Sequence, residues 1–394
     1  MRSGKFWASG GRCVPAGRLI APALFLMMTA IHGLWALPDV AGAPLGPLYG
    51  RNLYAPHLPW YSAPAYAAVA YGATDRQAAG WSIRSALYYH NDFRAYPFDP
   101  DDPIYQPLDE EGRLREEDQK DLIAVDYEGL TWEIGAELRL SDTWRIGADW
   151  RLHARYGGFL DGFIEGLHGL FGLPNAGRMY FDRNAAYWHI TGRAGFSIDG
   201  EPGVAPGDLD LWTLFTAVRR KRWALAILAA CKLPTGSVAF GVGTGWPDLA
   251  LQSVLHWHPS SRWVLYLQGG LILPMETVFA AAASATRPMV QLVPVVEFRL
   301  NTNLSLLLQM NLQSSPFEGE TPVMHPLFGE THLFALPQTD VKVGFRGRLR
   351  DRLGSGFWQL YVEEDPFTWE GPDILLNFMM EFALVSPPAC SSSD

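Results

Sequence analysis

The stretch from Thr131 to Arg155, TWEIGAELRLSDTWRIGADWRLHAR, alternates apolar and polar positions with a period of two on both sides of a short break. Trp132, Ile134, Ala136, Leu138 and Leu140 share one face, and Thr131, Glu133, Gly135, Glu137 and Arg139 the other. After Ser141 and Asp142 the pattern resumes, with Trp144, Ile146, Ala148, Trp150 and Leu152 opposite Arg145, Gly147, Asp149, Arg151 and His153. A period of two that survives a tight turn predicts an antiparallel hairpin. Strands of soluble sandwiches usually run about five or six residues. These run to roughly a dozen, the length a tilted strand needs to cross a bilayer.

The same alternation recurs at 81–90, 209–218, 223–232, 248–257, 263–271, 289–300, 304–313, 341–350, 357–363 and 374–384. Links after Leu140, Val218, Trp257, Leu300 and Arg350 are short, and those after His90, Arg155, Lys232, Leu271, Gln313 and Glu363 are longer. Outer-membrane barrels have short periplasmic turns and longer outward loops. The expected fold is therefore all-β, a transmembrane antiparallel β-barrel of about 12 strands with both termini in the periplasm. The segment 185–192 is left inside a loop, because counting it as a stave would break the even number. The acidic connection 91–127 reads as a solvated loop.

Charge decides which face meets lipid, since a charged residue on the lipid side costs about 2–4 kcal/mol at the midplane. Leu304, Leu306, Leu308, Met310 and Leu312 are placed towards lipid, as are Val341, Val343, Phe345 and Leu349. The candidate lumen-facing residues are Glu133, Glu137, Arg139, Arg145, Asp149, Arg151, Arg299, Lys342, Arg346 and Arg348. The middle strands offer Ala224, Ala226, Leu228, Ala250, Val254 and Val264 on their inner side, so one wall is basic and the other small and apolar. Two readings of the basic set stand open: internal pairs that satisfy one another, or a surface selective for anionic or amphipathic solutes.

One loop departs from period two. In 157–178, GGFLDGFIEGLHGLFGLPNAGR, the residues Leu160, Phe163, Ile164, Leu167, Leu170 and Phe171 recur at three and four, the spacing of one helix face. This predicts a short helix in a long outward loop, serving as a plug or lid that packs on the apolar wall. The rival is a helix lying on the outer leaflet.

The N-terminus adds targeting to this picture. Arg2, Lys5, Arg12 and Arg18 precede an apolar run over 19–36, with no acid before Asp39, as in a secretory signal. A retained transmembrane helix is the alternative. The organisation expected is a signal peptide over 1–36, an extended Pro/Gly-rich segment over 37–79 on the periplasmic side or entering the lumen, the barrel over 80–384, and a disordered tail over 385–394. Repeated prolines forbid a continuous helix or central strand in 37–79.

Composition narrows the function classes. A net charge of -10 gives no reason to expect nucleic acid. The 13 % aromatic content, with 15 Trp, suits the girdles at membrane interfaces. Three cysteines make no disulfide framework or metal cluster; Cys231 and Cys390 read as two unpaired thiols, with a bridge between them in an oxidising compartment as the alternative. His256 and His258 in HWHPSS reach neither a nucleophile–base–acid set nor a closed metal site. GVGTG, 241–245, lacks the Lys and helix of a phosphate loop and reads as a flexible outward loop. No catalytic residue, cofactor or metal is expected.

The sequence resembles a bacterial family known only as domain of unknown function 3187. The resemblance rests on RNLYAP near the mature N-terminus, GGFLDGFIEGLHGLFGLPNAGR, KLPTGS at 232–237, GTGWPDLAL at 243–251 and EEDPFTWEGPDILLNF at 363–378. It implies an exported outer-membrane-type barrel, with no activity assigned. The ending ALVSPPACSSSD after Phe382 departs from the aromatic terminus of the usual barrel. The function expected is a gated or plugged channel for a small or amphipathic solute, favoured as a monomer, in contact with outer-membrane lipid. A non-transporting envelope scaffold or loop-presenting interaction protein is the alternative.

Overall fold

The computed structural model describes residues 44–49, 80–96, 122–171, 182–184, 186–192, 196–200, 202–275, 287–315, 322–325, 329–332, 337–351, 354–364 and 374–384. The signal peptide over 1–36, most of the segment over 37–79, Cys390 and the tail over 385–394 lie outside them.

The strands are β1 (Gly80–Tyr96), β2 (Leu122–Arg139), β3 (Trp144–Tyr156), β4 (Tyr187–Gly192), β5 (Phe196–Gly200), β6 (Gly203–Pro206), β7 (Leu209–Arg219), β8 (Trp223–Leu233) and β9 (Asp248–Trp257). They continue with β10 (Trp263–Pro274), β11 (Met289–Arg299), β12 (Leu304–Gln313), β13 (Pro322–His325), β14 (Gly329–His332), β15 (Gln338–Asp351), β16 (Gly354–Glu364) and β17 (Ile374–Leu384). Among the described residues one helix, α1 (Asp161–Phe171), follows β3.

Twelve of these strands close on themselves. The ring runs β1, β17, β16, β15, β12, β11, β10, β9, β8, β7, β3, β2 and back to β1, each pair antiparallel. First and last strands form the seam, in register from Trp81 opposite Leu384 to Asn91 opposite Ile374. The expected transmembrane barrel of about 12 strands, with a short helix in a long outward loop, is the observed fold.

The segment 185–192 is not wholly loop. Tyr187–Gly192 is a strand, yet it pairs with the outward end of β2 and carries β5 on its far side, so the ring still counts twelve. The outward connection 91–127 is also shorter than the sequence pattern implies, because β1 runs on to Tyr96 and β2 begins at Leu122. Both prolongations carry polar residues, among them His90, Asn91, Asp92, Asp126 and Glu128, which obscure the alternation. Beside them, β6 pairs with the upper half of β3 and β7 with its lower half.

The wall is apolar outside and polar inside. Leu87, Trp132, Leu211, Ile227, Leu255, Leu308, Phe345, Leu360 and Phe378 are exposed, while their neighbours along each strand are buried. Large apolar side chains over the outside of a closed single-layer barrel, with charge within, are what a hydrocarbon solvent selects. Trp81, Trp144, Trp223 and Trp257 stand exposed at the strand ends beside the short turns, forming one aromatic girdle. Among the described residues no helix is long and apolar enough to cross a membrane, so any spanning here is done by strands.

Candidate functional site

The interior is dense with charge, and the charges meet partners. Glu133, Asp149, Arg151, Arg299, Lys342 and Arg346 are buried on the inner side of their strands, and Glu137, Arg145 and Arg348 are half-buried. Arg84 reaches Asp149 at 2.5 Å, and Asp149 also accepts the Trp212 indole N–H at 2.8 Å. Arg145 meets Glu137 at 3.0 Å, Arg151 meets Asp210 at 2.7 Å and Lys342 meets Glu363 at 3.1 Å. Arg139 turns to Asp142 in the short turn, and Arg299 donates to the Ser261 carbonyl at 2.8 Å. Arg348 lies over the Phe357 ring, 5.6 Å from its centroid. Gly135 lets the Arg84–Asp149 pair pass: a Cβ there would sit 2.1 Å from Asp149 Oδ1 and 2.7 Å from Arg84 Nη2.

Across from the basic strands the wall changes character. Ala224, Ala226, Leu228, Ala250, Val254 and Val264 are buried on the inner side of β8, β9 and β10. Nearer the outward end an amide chain crosses this wall: Gln268 donates to Gln252 at 2.6 Å, Gln252 to Gln291 at 2.9 Å, and Gln291 to Gln313 at 3.1 Å. At the opposite, turn-side end, His256 stacks on Tyr266 with centroids 4.9 Å apart, and the His258 ring lies 4.2 Å from His256. Burial, reinforced by the nearby Arg299 charge, lowers the His258 pKa from its ordinary value.

The barrel interior also holds a piece of its own chain. Leu45 and Leu48 are 0 % exposed, and Leu48 packs in the same apolar cluster as Ala226, Val254 and Val264. Glu297 accepts the Leu45 amide at 2.8 Å and the Gly46 amide at 2.9 Å. The same carboxylate accepts the Tyr266 hydroxyl at 2.5 Å and the Ser305 hydroxyl at 2.7 Å. Arg346 donates to the Pro47 carbonyl at 2.7 Å. Gln359 takes the Tyr49 amide at 2.8 Å and gives its own N–H to the Tyr49 carbonyl. The Tyr49 hydroxyl donates to Glu133 at 2.6 Å, and Arg84 lies over the Tyr49 ring, 3.8 Å from its centroid. Gly46, with φ of 88°, occupies the left-handed region open to glycine.

Helix α1 sits elsewhere. Its approach is held by Glu128, which accepts the amides of Phe159 and Leu160, each at 2.5 Å. Asp161 accepts from Asn91 Nδ2 at 3.2 Å and from the Asn184 amide at 2.5 Å. By the alternation along β1 and β2, Asn91 and Glu128 share a side with exposed Leu87 and Trp132, the outer side. Ile164 is buried and Leu160 half-buried, while Phe163 and Leu170 are exposed. The side chains of Leu167, His168 and Phe171 lie outside the described residues.

The loop between β8 and β9 folds back over the wall rather than standing free as a flexible outward loop. Gly241, Val242, Gly243 and Thr244 are buried. Lys232 is ion-paired with Asp208 at 3.2 Å and with Asp248, and donates to Thr244 Oγ1 at 2.9 Å. Asp208 in turn accepts the Gly236 amide at 2.8 Å. Arg155 holds the loop from β3, donating to the Phe240 carbonyl at 2.7 Å and lying over its ring. Gly241 and Gly245 have φ of 69° and 75°, so the backbone reversal that buries Thr244 depends on glycine at these positions.

A family model described as a protein of unknown function (DUF3187) matches residues 117–320, more than half of the 394-residue chain. The chain belongs to this family. No curated protein sequence matches it. Among solved structures, an outer membrane channel from Pseudomonas putida F1 is similar at 12 % identity and TM-score 0.46, over 79 % of this chain and 97 % of that one. The Pseudomonas putida toluene transporter TodX aligns at 11 % identity and TM-score 0.36, over 87 % of this chain and 100 % of that one. A Pseudomonas aeruginosa FadL homologue aligns at 9 % identity and TM-score 0.32, over 89 % and 100 %.

In this DUF3187 chain the motifs KLPTGS and GTGWPDLAL, 232–237 and 243–251, are two sides of one knot, joined through Lys232, Asp208, Thr244 and Asp248. Sequence reading singled out both motifs but missed Asp208, which lies between two strands and outside any alternation. It also missed Gln359, whose inner-side position on β16 was the available signal. Among the described residues of the DUF3187 chain, no group of three or more His, Cys, Asp or Glu is placed to hold a metal ion.

Proposed function

We propose that this DUF3187 protein is a gated channel of the bacterial outer membrane for a small amphipathic solute, closed at rest by its own residues 44–49. The observation that carries this reading is how the segment is held. Glu297, Arg346 and Gln359 grip its main chain through their side chains. A grip of that kind can be released while every strand-to-strand bond of the wall remains. The contrast between walls supports the solute class: paired ions on one side, and on the other Ala, Val and Leu with a row of amides towards the outward end. Because Arg145, Arg151 and Lys342 already face carboxylates, the interior suits a neutral amphipathic solute better than an anion.

Deleting residues 44–49 tests this reading. In a planar bilayer the deletion variant should show a steady conductance that the intact protein shows only in brief openings. Silence from a variant whose circular dichroism is that of a folded barrel would overturn it and favour an envelope scaffold.

A further inference from the structure

We propose that α1, with Phe159 before it, is an outer-leaflet anchor, its Phe159, Phe163 and Leu170 side chains seated among lipid acyl chains beside the barrel. Three observations carry this. The first is side. Glu128 and Asn91, which hold the start of the helix by hydrogen bonds, and Tyr89, which meets Phe159 by its ring, lie on the outer side of β1 and β2 by the alternation of those strands.

The second is height. Tyr89 lies eight residues along β1 from the girdle residue Trp81. At about 3.4 Å per residue and a tilt of about 40°, that is roughly 20 Å, close to the height of a barrel's apolar band. Tyr89, Tyr156 and Phe159 cluster at this level, with centroids 6.5 Å apart for the tyrosine pair and 6.0 Å apart for Tyr89 and Phe159. The second aromatic girdle belongs there.

The third is the division of the helix itself. At 100° per residue, Phe163 and Leu170 fall on one narrow arc, Asp161 and Glu165 on another, and Gly162, Gly166 and Gly169 on a third. The acidic arc is spoken for, Asp161 by Asn91 and Asn184, and Glu165 by Arg183. The glycine arc faces open space, with nothing within 4 Å of a Cβ at any of the three. The aromatic and leucine arc is exposed, Phe163 by 58 % and Leu170 by 77 %, and so is Phe159 before the helix, by 72 %. It is continuous, through Tyr89 and Tyr156, with the lipid-facing wall, so the surface that already meets acyl chains extends onto the helix.

The test uses the full chain with its cysteines changed to serine, an environment-sensitive fluorophore placed by Phe163→Cys, Leu170→Cys or Gly166→Cys, and reconstitution in phosphatidylcholine bilayers. Nitroxide-bearing acyl chains should quench the labels at 163 and 170 severalfold more than the label at 166, and aqueous iodide should show the reverse order. The use of two apolar-arc sites guards against one variant failing to fold. Labels at 163 and 170 that iodide reaches and nitroxide does not would overturn the anchor. Labels shielded from both quenchers would overturn it too, since they would lie inside protein.

Discussion

Glu297 accepts the backbone amide of Leu45 at 2.8 Å, across 252 positions of sequence. With the Gly46 amide on its other oxygen, it is a two-pronged catch on the segment inside the barrel. A hydrogen bond to a charged group contributes about 1.5–3 kcal/mol. Glu297→Gln keeps the side-chain volume but turns one acceptor into a donor aimed at an N–H. At about 1.4 kcal/mol per tenfold, its open fraction in single-channel recording should rise roughly tenfold to a hundredfold. An unchanged open fraction would remove Glu297 from the closing mechanism.

Tyr49 closes the same segment at its other end. Tyr49→Phe deletes the 2.6 Å bond to Glu133 while leaving a ring beneath Arg84. This too is a hydrogen bond to a charged group, which contributes about 1.5–3 kcal/mol. The variant should therefore open more often than the intact protein, and Glu133→Gln combined with it should recover part of the closed state. Additive effects of the two changes in a double-mutant cycle would show that the residues do not couple.

The knot behind the β8–β9 loop should matter for stability rather than gating. Lys232→Met leaves Asp208 and Asp248 buried without their shared ammonium. Breaking a buried pair by removing one partner costs about 3–5 kcal/mol. The urea midpoint for unfolding from lipid vesicles should fall accordingly. Lys232→Met with Asp248→Asn should fall less.

The two faces of β12 and β15 predict opposite tolerances. Leu308→Arg or Phe345→Arg puts a charge on the outer wall and should cost about 2–4 kcal/mol in folding into a bilayer. Leu308→Phe should be close to neutral. Equal costs for Leu308→Arg and Leu308→Phe in urea titrations would contradict the assignment of this face to lipid.

The turn carries a pH effect of definite sign. His258 has its pKa lowered in the folded protein, so the unfolded chain binds the proton more readily. Its contribution is fully present above the ordinary histidine pKa of about 6.5 and is lost as pH falls from there through the folded value. The stability gap between intact protein and His258→Asn should therefore shrink between pH 7.5 and more acidic conditions. A gap that widened on acidification would reverse the sign.

The barrel was legible because each stave repeats one message: Trp132, Ile134 and Leu138 on one side and Glu133, Glu137 and Arg139 on the other need no tertiary knowledge to be sorted. The strict alternation of short and long links then set the count. What alternation cannot encode is contact between positions far apart in sequence. Pro44 to Tyr49 has no period, and its prolines say only that it is extended; that Glu297 and Gln359 receive it depends on closing the ring first. The helix was readable as a helix from its spacing of three and four. Its surroundings were not, because Glu128 and Asn91 sit in a polar stretch where the sequence pattern ends strands that in fact continue.

Residues 50–79 tether Tyr49 to the first stave, so the segment in the lumen and the wall that holds it are one molecule. On the proposed gating, closure would be a unimolecular equilibrium, indifferent to how much protein the membrane holds. A tethered ligand of this kind acts at an effective concentration of roughly millimolar. A free peptide copying residues 44–49 would compete only near that level, whereas a solute in the lumen would act on the catch from within.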